Sequence, residues 1–296
     1  MPTHEPVMTA EVLELLRPSR SGVFVDCTLG AAGHAEALLE AGASRLLGID
    51  RDPSAIAGAR ARLARWGDRV ELIHADYRAL ADVLDARGIA AVDGILADLG
   101  LSSMQIEGEG RGFSFQRDEP LDMRMDTSQG PTAAELIARV SEQDLARVIF
   151  EYGEERHARR VARSIVTARD AGPITTTGTL AAIARRAAGG RGWQRIDPAT
   201  RTFQAIRIWV NEELQGLDRF IADACERLRP GGRLAAITFH SLEDRVVKHT
   251  LRGLAQSPGS AIRVLTKKPV RPGDDEVARN PRARSAKLRA AEREAA

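Results

Sequence analysis

Short apolar runs alternate with helix-like segments over the first third of the chain. The apolar runs predict four buried strands, at Val23–Asp26, Arg45–Asp50, Val70–Tyr77 and Val92–Gly100. Helical spacing lies between them, as in Ala35–Ala41, which Gly42 closes, and in the segment that Asp52-Pro53-Ser54 opens. Strands that alternate with helices form parallel sheets covered on both faces, so the pattern predicts an α/β fold.

The alternation stops after the fourth strand. From residue 104 to residue 205 helix starts recur and no strand of similar quality is predicted. Thr132-x-x-Glu135 and Ser141-x-x-Asp144 are capping-box patterns, and Tyr152-Gly153 is typical of a helix end. We therefore predict a discontinuous α/β domain, residues 1–103 and 206–296, interrupted by a helical insertion domain, residues 104–205.

The sheet pattern returns after the insertion. We expect a long helix from Thr202 to about Leu228, a fifth strand at Arg233–His240 and a helix that Ser241-Leu242-Glu243-Asp244 caps. A last strand is predicted at Ile262–Thr266, and Asn280–Arg289 is interpreted as a basic tail.

The composition is that of a globular protein. Hydrophobic residues make up 43% and charged residues 28% of the 296, and no apolar run reaches the roughly 18 to 20 residues of a membrane span. The N-terminal residues lack a signal-peptide pattern, so we expect a cytoplasmic protein with no membrane association. Cys27 and Cys225 are too few for a disulfide framework or a four-ligand zinc site, and we interpret both as packing residues.

The net charge of +2 hides two basic segments. From Arg156 to Arg207 eleven arginines face two acidic residues, and from Arg263 to Ala296 ten basic residues face five acidic ones, so the rest of the chain is acidic. In the first segment, an apolar stripe of Ala158, Val161, Ala162 and Ile165 and a basic stripe of Arg156, Arg160 and Arg163 predict an amphipathic helix. This concentration of arginine favours a polyanion such as nucleic acid over simple solvated helix faces.

One edge of the predicted sheet collects residues with ligand-binding chemistry. The first strand runs into the turn Gly30-Ala31-Ala32-Gly33-His34 and a helix, whose N-terminal N–H groups and dipole would face a ligand. Asp50 ends the second strand, where it could bind ribose hydroxyls or cap the next helix. Tyr77 could stack on an adenine or pack in the core, and Asp98 ends the fourth strand. The G-x-G-x-x-G fingerprint of NAD enzymes is absent.

Several long motifs extend the pattern over nearly the whole chain. They include Met8-Thr9-Ala10-Glu11, Thr28-Leu29-Gly30, Gly33-His34, Ile49-Asp50-Arg51-Asp52, Asp98-Leu99-Gly100, Arg111-Gly112-Phe113-Ser114-Phe115, Leu121-Asp122-Met123-Arg124-Met125-Asp126, Tyr152-Gly153-Glu154-Glu155-Arg156, Ala199-Thr200-Arg201-Thr202-Phe203-Gln204-Ala205 and Phe239-His240-Ser241-Leu242-Glu243-Asp244-Arg245. Together they resemble the RsmH (MraW) family of bacterial ribosomal-RNA cytosine N4-methyltransferases.

The resemblance implies a Rossmann-like class I methyltransferase sheet, S-adenosylmethionine as cofactor, and methylation of a specific cytidine in the decoding centre of 16S rRNA. It carries the cofactor contacts over to Ala32, Gly33, His34, Asp50, Tyr77, Asp98 and Gln105. One departure is Ala32, where family members commonly have glycine. We expect it to be tolerated only if φ is negative there and the ligand leaves room for a methyl group.

A cytosine amino group is a weak nucleophile, so the enzyme must mainly align the reacting atoms and accept a hydrogen bond from the amino group. We assign Asp98 that catalytic role. Phe113 or Phe115 could supply a ring for the base or could pack in the core. We expect RNA contacts from Arg156, Arg160, Arg163 and Arg201.

The expected partner is 16S rRNA within the small ribosomal subunit, and a homodimer is compatible with the sequence. An alternative is a cofactor-binding RNA or ribosome-assembly protein without significant turnover. The sequence does not separate turnover from binding.

Overall fold

The computed structural model describes residues 6–18, 22–102, 105–106, 108–189 and 197–295. The chain divides into two compact units, Met1–Ser102 with Leu214–Ala296, and Ser103–Glu213. The insertion predicted at 104–205 lies within the second unit, which continues through the helix ending at Asn211.

The first unit is an α/β unit. Its strands in chain order are β1 Val23–Asp26, β2 Arg45–Asp50, β3 Val70–His74, β4 Val92–Asp98, β5 Leu228–Thr238, β6 Ile262–Val264 and β7 Lys287–Arg293. Its helices, numbered along the whole chain, are α1 Thr9–Leu16, α2 Gly33–Glu40, α3 Pro53–Leu63, α4 Leu80–Asp85, α10 Leu217–Glu226, α11 Ser241–Gln256 and α12 Asp274–Arg279.

Within the described residues, the seven strands form one sheet in the order β3-β2-β1-β4-β5-β7-β6. β1 to β5 are parallel, and β7 pairs antiparallel with both β5 and β6. The strand order reverses between β1 and β4, which is where open α/β sheets bind ligands at the carboxyl ends of their strands. The predicted Rossmann-like methyltransferase sheet is confirmed.

The strands of the sheet centre are buried on both faces. Val25, Leu47 and Ile95 belong to one hydrophobic cluster, whereas their neighbours Phe24, Leu46 and Leu96 belong to the other. Successive side chains of a strand point to opposite faces, so the near-continuous apolar runs of these strands follow directly from two covered faces.

The predicted basic tail is wrong. Residues 287–293 form β7, with Leu288, Ala290 and Ala291 fully buried. Several of its basic side chains are paired within the unit: Arg289 Nε donates to Asp244 Oδ1 at 2.6 Å, and Arg263 Nη2 donates to Glu292 Oε1 at 2.8 Å. Together with Lys287, which also pairs with Asp244, three cations of the second basic segment are engaged inside the fold.

The predicted long helix from Thr202 to Leu228 is also wrong. It is two helices, which end at Asn211 and begin again at Leu217. Glu212 and Gly216 adopt left-handed backbone at φ 50 and φ 69, which breaks the helix between them. β5 begins at Leu228, earlier than the predicted Arg233, because Leu228 pairs with Val92 before a register shift.

The second unit is helical in its described part. Its helices are α5 Ala133–Arg139, α6 Glu142–Gly153, α7 Ala158–Ala171, α8 Thr177–Ala188 and α9 Ala199–Asn211. The caps at Thr132 and Ser141 and the helix end at Gly153 are confirmed. The predicted apolar stripe of α7 is buried in this unit's own core: Ala158, Val161, Ala162 and Ile165. No helix among the described residues combines the length and apolarity needed to cross a membrane.

Candidate active site

The turn after β1 is held by backbone hydrogen bonds to the neighbouring strands. The N–H of Cys27 donates to the carbonyl of Leu96 at 2.8 Å, and the N–H of Leu29 donates to the carbonyl of Ile49 at 2.9 Å. The N–H of Asp98 in turn donates to Thr28 Oγ1 at 2.6 Å. The turn, the end of β2 and the end of β4 are therefore fixed relative to one another.

Ala32 departs from the expectation drawn for it. It is fully buried and adopts left-handed backbone at φ 62, directly before α2. The prediction that φ of Ala32 is negative is wrong. The chain needs a left-handed residue at this position to turn from β1 into α2. An alanine in this region costs roughly 1 kcal/mol relative to glycine.

Asp50 joins two turns through its carboxylate. Oδ2 accepts from the N–H of Gly30 at 2.7 Å, and Oδ1 accepts from the N–H of Asp52 at 2.8 Å. The alternative role as cap of α3 is wrong, since the capping side chain is Asp52, which accepts from the N–H of Ser54. A carboxylate offers about four acceptor positions, so lone pairs remain for ribose hydroxyls.

Three titratable groups meet at the carboxyl ends of β1 and β4. His34 is 6% exposed, with its Nε2 3.6 Å from Asp98 Oδ2. Within the described residues, Asp26 Oδ2, Asp98 Oδ1 and both ring nitrogens of His34 are buried without a hydrogen bond. Buried polar atoms without partners are costly, so this cluster is suited to receive a polar ligand.

Burial sets the charge of this cluster. It raises the pKa of Asp26 from 3.8 to about 7, although nearby His34 opposes the shift. Burial opposes protonation of His34, but the Asp98 and Asp26 carboxylates outweigh it and the pKa of His34 is raised. Burial also raises the pKa of Asp50 to about 6.

Tyr77 lies three residues beyond the end of β3, in a short helical turn, and not in the strand as predicted. Its ring centroid is 4.7 Å from that of Phe220, so the ring packs on the hydrophobic core. The preceding Asp76 accepts from the N–H and the Nε of Arg78 and caps the turn. The packing alternative fits these contacts, and the adenine contact stays a prediction.

Phe239 is an aromatic residue at the site that the sequence prediction missed. It follows β5, and its ring packs so closely on Gly100 that an added Cβ there would lie 3.1 Å from the ring. Gly100 follows the end of β4 at φ 117, a conformation that favours glycine. Part of the signal was available in the sequence, since Phe239 is the next-to-last residue of the fifth predicted strand; the structure adds that this strand pairs with the one that carries Asp98.

The other predicted site residues lie in the second unit. Gln105 is buried there. Phe115 contacts Phe203 edge-on at 4.8 Å, and Phe113 lies under the guanidinium of Arg111 at 5.7 Å. Both rings pack on the core of this unit, which fits the packing alternative.

The predicted RNA-binding arginines differ in how firmly they are held. Arg160 donates to the carbonyl of Ala188 at 2.7 Å, and Arg163 pairs with Glu142 at 3.3 Å. Arg201 donates to the carbonyl of Glu154 at 3.2 Å. The side chain of Arg156 is exposed and makes no hydrogen bond or ion pair with any described residue.

Comparison with known proteins places the chain among bacterial methylases. The model of the MraW methylase family matches residues 1–294. A relative in Sorangium cellulosum named ribosomal RNA small subunit methyltransferase H is 53% identical over 290 residues, 98% of this chain and 90% of that one. A protein of the same name in Geobacter sulfurreducens is 51% identical over 307 residues, 98% of this chain and 99% of that one.

Among solved structures, an S-adenosylmethionine-dependent O-methyltransferase of Thermotoga maritima matches with a TM-score of 0.45 at 13% identity, covering 100% of this chain and 69% of that one. A TM-score this low carries no argument about the fold beyond the observed strand order. The family match spans nearly the whole sequence, and the relatives share about half of their residues with it. The chain belongs to the MraW methylase family.

Proposed function

We propose that this protein methylates the exocyclic N4 of a specific cytidine in the decoding centre of 16S rRNA, within the small ribosomal subunit. The coarser activity follows from family membership: the chain is an S-adenosylmethionine-dependent rRNA methyltransferase, as its relatives are named ribosomal RNA small subunit methyltransferase H. The nucleotide, the atom and the residues that act on it are the proposal.

The residues at the β1 turn fit the cofactor. Asp26, His34 and Asp98 offer buried polar atoms that make no hydrogen bond in the described part of the chain, next to the N-terminus of α2. In the proposal, Ala32, Gly33 and His34 line the amino-acid end, Asp50 binds the ribose, Tyr77 borders the adenine, and Gln105 adds a contact. When bound, S-adenosylmethionine supplies a methyl group on a sulfonium leaving group.

Asp98 is the proposed acceptor for the cytosine amino group. It ends β4 at the switch point of the sheet, its N–H is fixed by Thr28, and its Oδ1 is buried without a partner among the described residues. That unpartnered oxygen is the observation that carries the proposal. A hydrogen bond from the amino group to Oδ1 orients the nitrogen lone pair, and the carboxylate accepts the proton that the nitrogen loses as its bond to the methyl carbon forms.

Phe239 is the proposed ring beside the base. Its ring packs on Gly100, which follows Asp98 by two residues in the chain. An aromatic face beside the acceptor stacks on an unpaired base and holds its amino group towards Oδ1. Phe113 and Phe115 remain the alternatives predicted from the sequence; their rings pack on the core of the second unit, as that of Phe239 packs on the core of the first.

The cysteines argue against transfer to ring carbon 5, which ordinarily needs a thiolate that adds to the base. Cys27 and Cys225 are both buried. Burial raises the pKa of the Cys225 thiol to about 12 and that of Cys27 well above its usual range. Neither thiol is available as a nucleophile near neutral pH, so the amino nitrogen is the better acceptor atom.

The test uses small subunits from cells that lack the protein and a labelled methyl donor. Wild-type protein should transfer label to 16S rRNA, Asp98→Ala should lose most transfer, and a Cys27→Ala, Cys225→Ala double variant should keep it. Cofactor binding and thermal unfolding of each variant separate lost chemistry from lost folding. If the wild-type protein binds the cofactor and the small subunit but transfers no methyl group, the result would instead support the alternative of an assembly protein without significant turnover.

A further inference from the structure

A groove on the helical unit joins an exposed aromatic ring to a set of arginines. It has a volume of about 1000 Å³ and is lined by α6 and by the start of α7. Phe150, on its α6 wall, is 62% exposed, and it is the only large apolar side chain so exposed in the part of the chain that the structure describes. The exposed ring beside the arginines of this groove offers a face on which a flat ligand can stack.

The groove follows from helical spacing. Gln143, Ala146, Arg147 and Phe150 lie at positions i, i+3, i+4 and i+7 of α6 and share one face. The facing wall carries Arg156, Arg159, Arg160 and Arg163. The opposite faces of both helices are buried in the core of the unit, which fixes these side chains on the outside.

The arginines of the groove are only partly engaged. Arg147 pairs with Asp144 at 2.9 Å and Arg163 with Glu142 at 3.3 Å, but both pairs are exposed and therefore weak. The side chains of Arg156 and Arg159 are exposed and make no hydrogen bond or ion pair with any described residue. The groove thus offers two uncommitted guanidinium groups beside an uncovered ring.

We infer that this groove binds an unpaired segment of RNA, with one base stacked on Phe150 and the neighbouring phosphates held by Arg156 and Arg159. The inference deepens the proposed function and rests on it for the identity of the RNA. A single-stranded nucleotide combines a flat apolar face with an adjacent anion, and this groove combines the complementary groups. A duplex hides its base faces and would leave Phe150 uncovered.

The direct test measures binding of a fluorescently labelled single-stranded oligouridylate to the full-length protein by fluorescence anisotropy. Phe150→Ala should weaken binding by about 10-fold, the scale of one lost base stack. Phe150→Tyr keeps the ring and should bind as wild type does, whereas Phe150→Leu keeps only the apolar surface and should resemble Phe150→Ala. An oligonucleotide with abasic positions should bind wild type and Phe150→Ala equally.

The arginines are tested through the salt dependence of the same binding. Arg156→Gln and Arg159→Gln should each flatten the logarithmic slope by about 0.7, the value for one single-strand phosphate contact. Arg186→Gln is the matched control, because Arg186 is an exposed arginine of α8 that does not line the groove and has no partner among the described residues. It should leave the slope close to that of wild type.

Several results would overturn the inference. One is that the wild-type protein shows no measurable binding of the oligonucleotide. A second is that Phe150→Leu binds it as tightly as Phe150→Tyr does. A third is that Arg186→Gln flattens the salt dependence of binding as much as Arg156→Gln and Arg159→Gln do. If Phe150→Ala lowers methylation of intact subunits but not RNA binding, the groove contacts a ribosomal protein and the inference also falls.

The methylation assay separates this inference from the proposed function. A wild-type protein that binds the oligonucleotide through Phe150 but transfers no methyl group to small subunits contradicts the proposed function alone. A wild-type protein that methylates subunits, with Phe150→Ala matching it in both assays, contradicts the groove alone.

Discussion

Single residues at the turn after β1 carry both structural and binding tasks. Asp50 was predicted from its place at the end of β2, and the structure adds that its carboxylate holds the N–H groups of Gly30 and Asp52. Ala32 was expected at negative φ and has φ 62. The position of the turn could be predicted from the sequence. The φ angle of Ala32 could not, because it depends on how hydrogen bonds to the neighbouring strands hold the loop.

Replacing Asp50 by alanine should weaken cofactor binding by about 1.5 to 3 kcal/mol, because a charge-assisted acceptor is lost. Calorimetric titration measures this effect. Asp52→Ala is the control: it removes the cap of α3 and should lower stability by about 1 kcal/mol without a comparable loss of cofactor affinity. An equal loss of cofactor affinity in both variants would assign the effect of Asp50 to folding.

Replacing Ala32 by glycine should leave the protein folded and stabilise it by up to about 1 kcal/mol, because glycine adopts the left-handed region without strain. Urea unfolding measures the difference. Ala37→Gly, in the interior of α2, should instead destabilise by about 0.5 to 1 kcal/mol. A destabilised Ala32→Gly protein would show that the alanine methyl group contributes more through packing than its conformation costs.

The buried cluster predicts how stability depends on pH in the absence of cofactor. Asp26 keeps its proton in the folded protein up to about pH 7 but loses it near pH 4 when unfolded, so its stabilising contribution falls as pH rises between these values. The raised pKa of His34 acts in the same direction, since its contribution is lost as pH rises through the folded-state pKa.

Asp26→Asn should therefore lose less stability than wild type when the pH is raised from about 5 to about 7.5. Denaturant unfolding at both pH values measures the two differences. An identical pH dependence in variant and wild type would contradict the assigned charge state of Asp26.

Among the elements, the strands at the sheet centre were predictable and β7 was not. β1, β2 and β4 are apolar runs that two covered faces require. The segment 287–293, Lys-Leu-Arg-Ala-Ala-Glu-Arg, consists of good helix formers, and only its pairing with β5 and β6 makes it a strand. The break between α9 and α10 was signalled in the sequence by Gly216, which lies inside the predicted long helix and directly precedes α10.

Arg289→Ala should destabilise the protein by about 1.5 to 3 kcal/mol, because it removes the closest partner of the largely buried Asp244 and leaves only Lys287 beside it. Chemical denaturation measures the loss. Arg263→Ala, in the neighbouring strand, removes a more exposed pair and should leave stability nearly unchanged. Unchanged stability of Arg289→Ala together with weakened RNA binding would restore the interpretation of this segment as a nucleic-acid contact.

For the whole molecule, the two basic segments differ in how far their cations are engaged within the fold. In the C-terminal segment, Arg263, Lys287 and Arg289 pair with acidic groups of their own unit, and Arg293 donates to two of its carbonyls. In the helical unit, Arg156 and Arg159 remain without partners among the described residues. A count along the sequence could not separate these cases, because it does not show which acidic residues the fold brings next to each cation.

The central claim is that Asp98 directs methyl transfer to the amino nitrogen of a cytidine in 16S rRNA. The most direct measurement is mass spectrometry of nucleosides from small subunits that the protein has methylated in vitro, compared with authentic standards. We predict N4-methylcytidine as the product with wild type, and its near absence with a folded Asp98→Ala protein that still binds cofactor. 5-Methylcytidine as the product, or undiminished N4-methylcytidine from Asp98→Ala, would contradict the account.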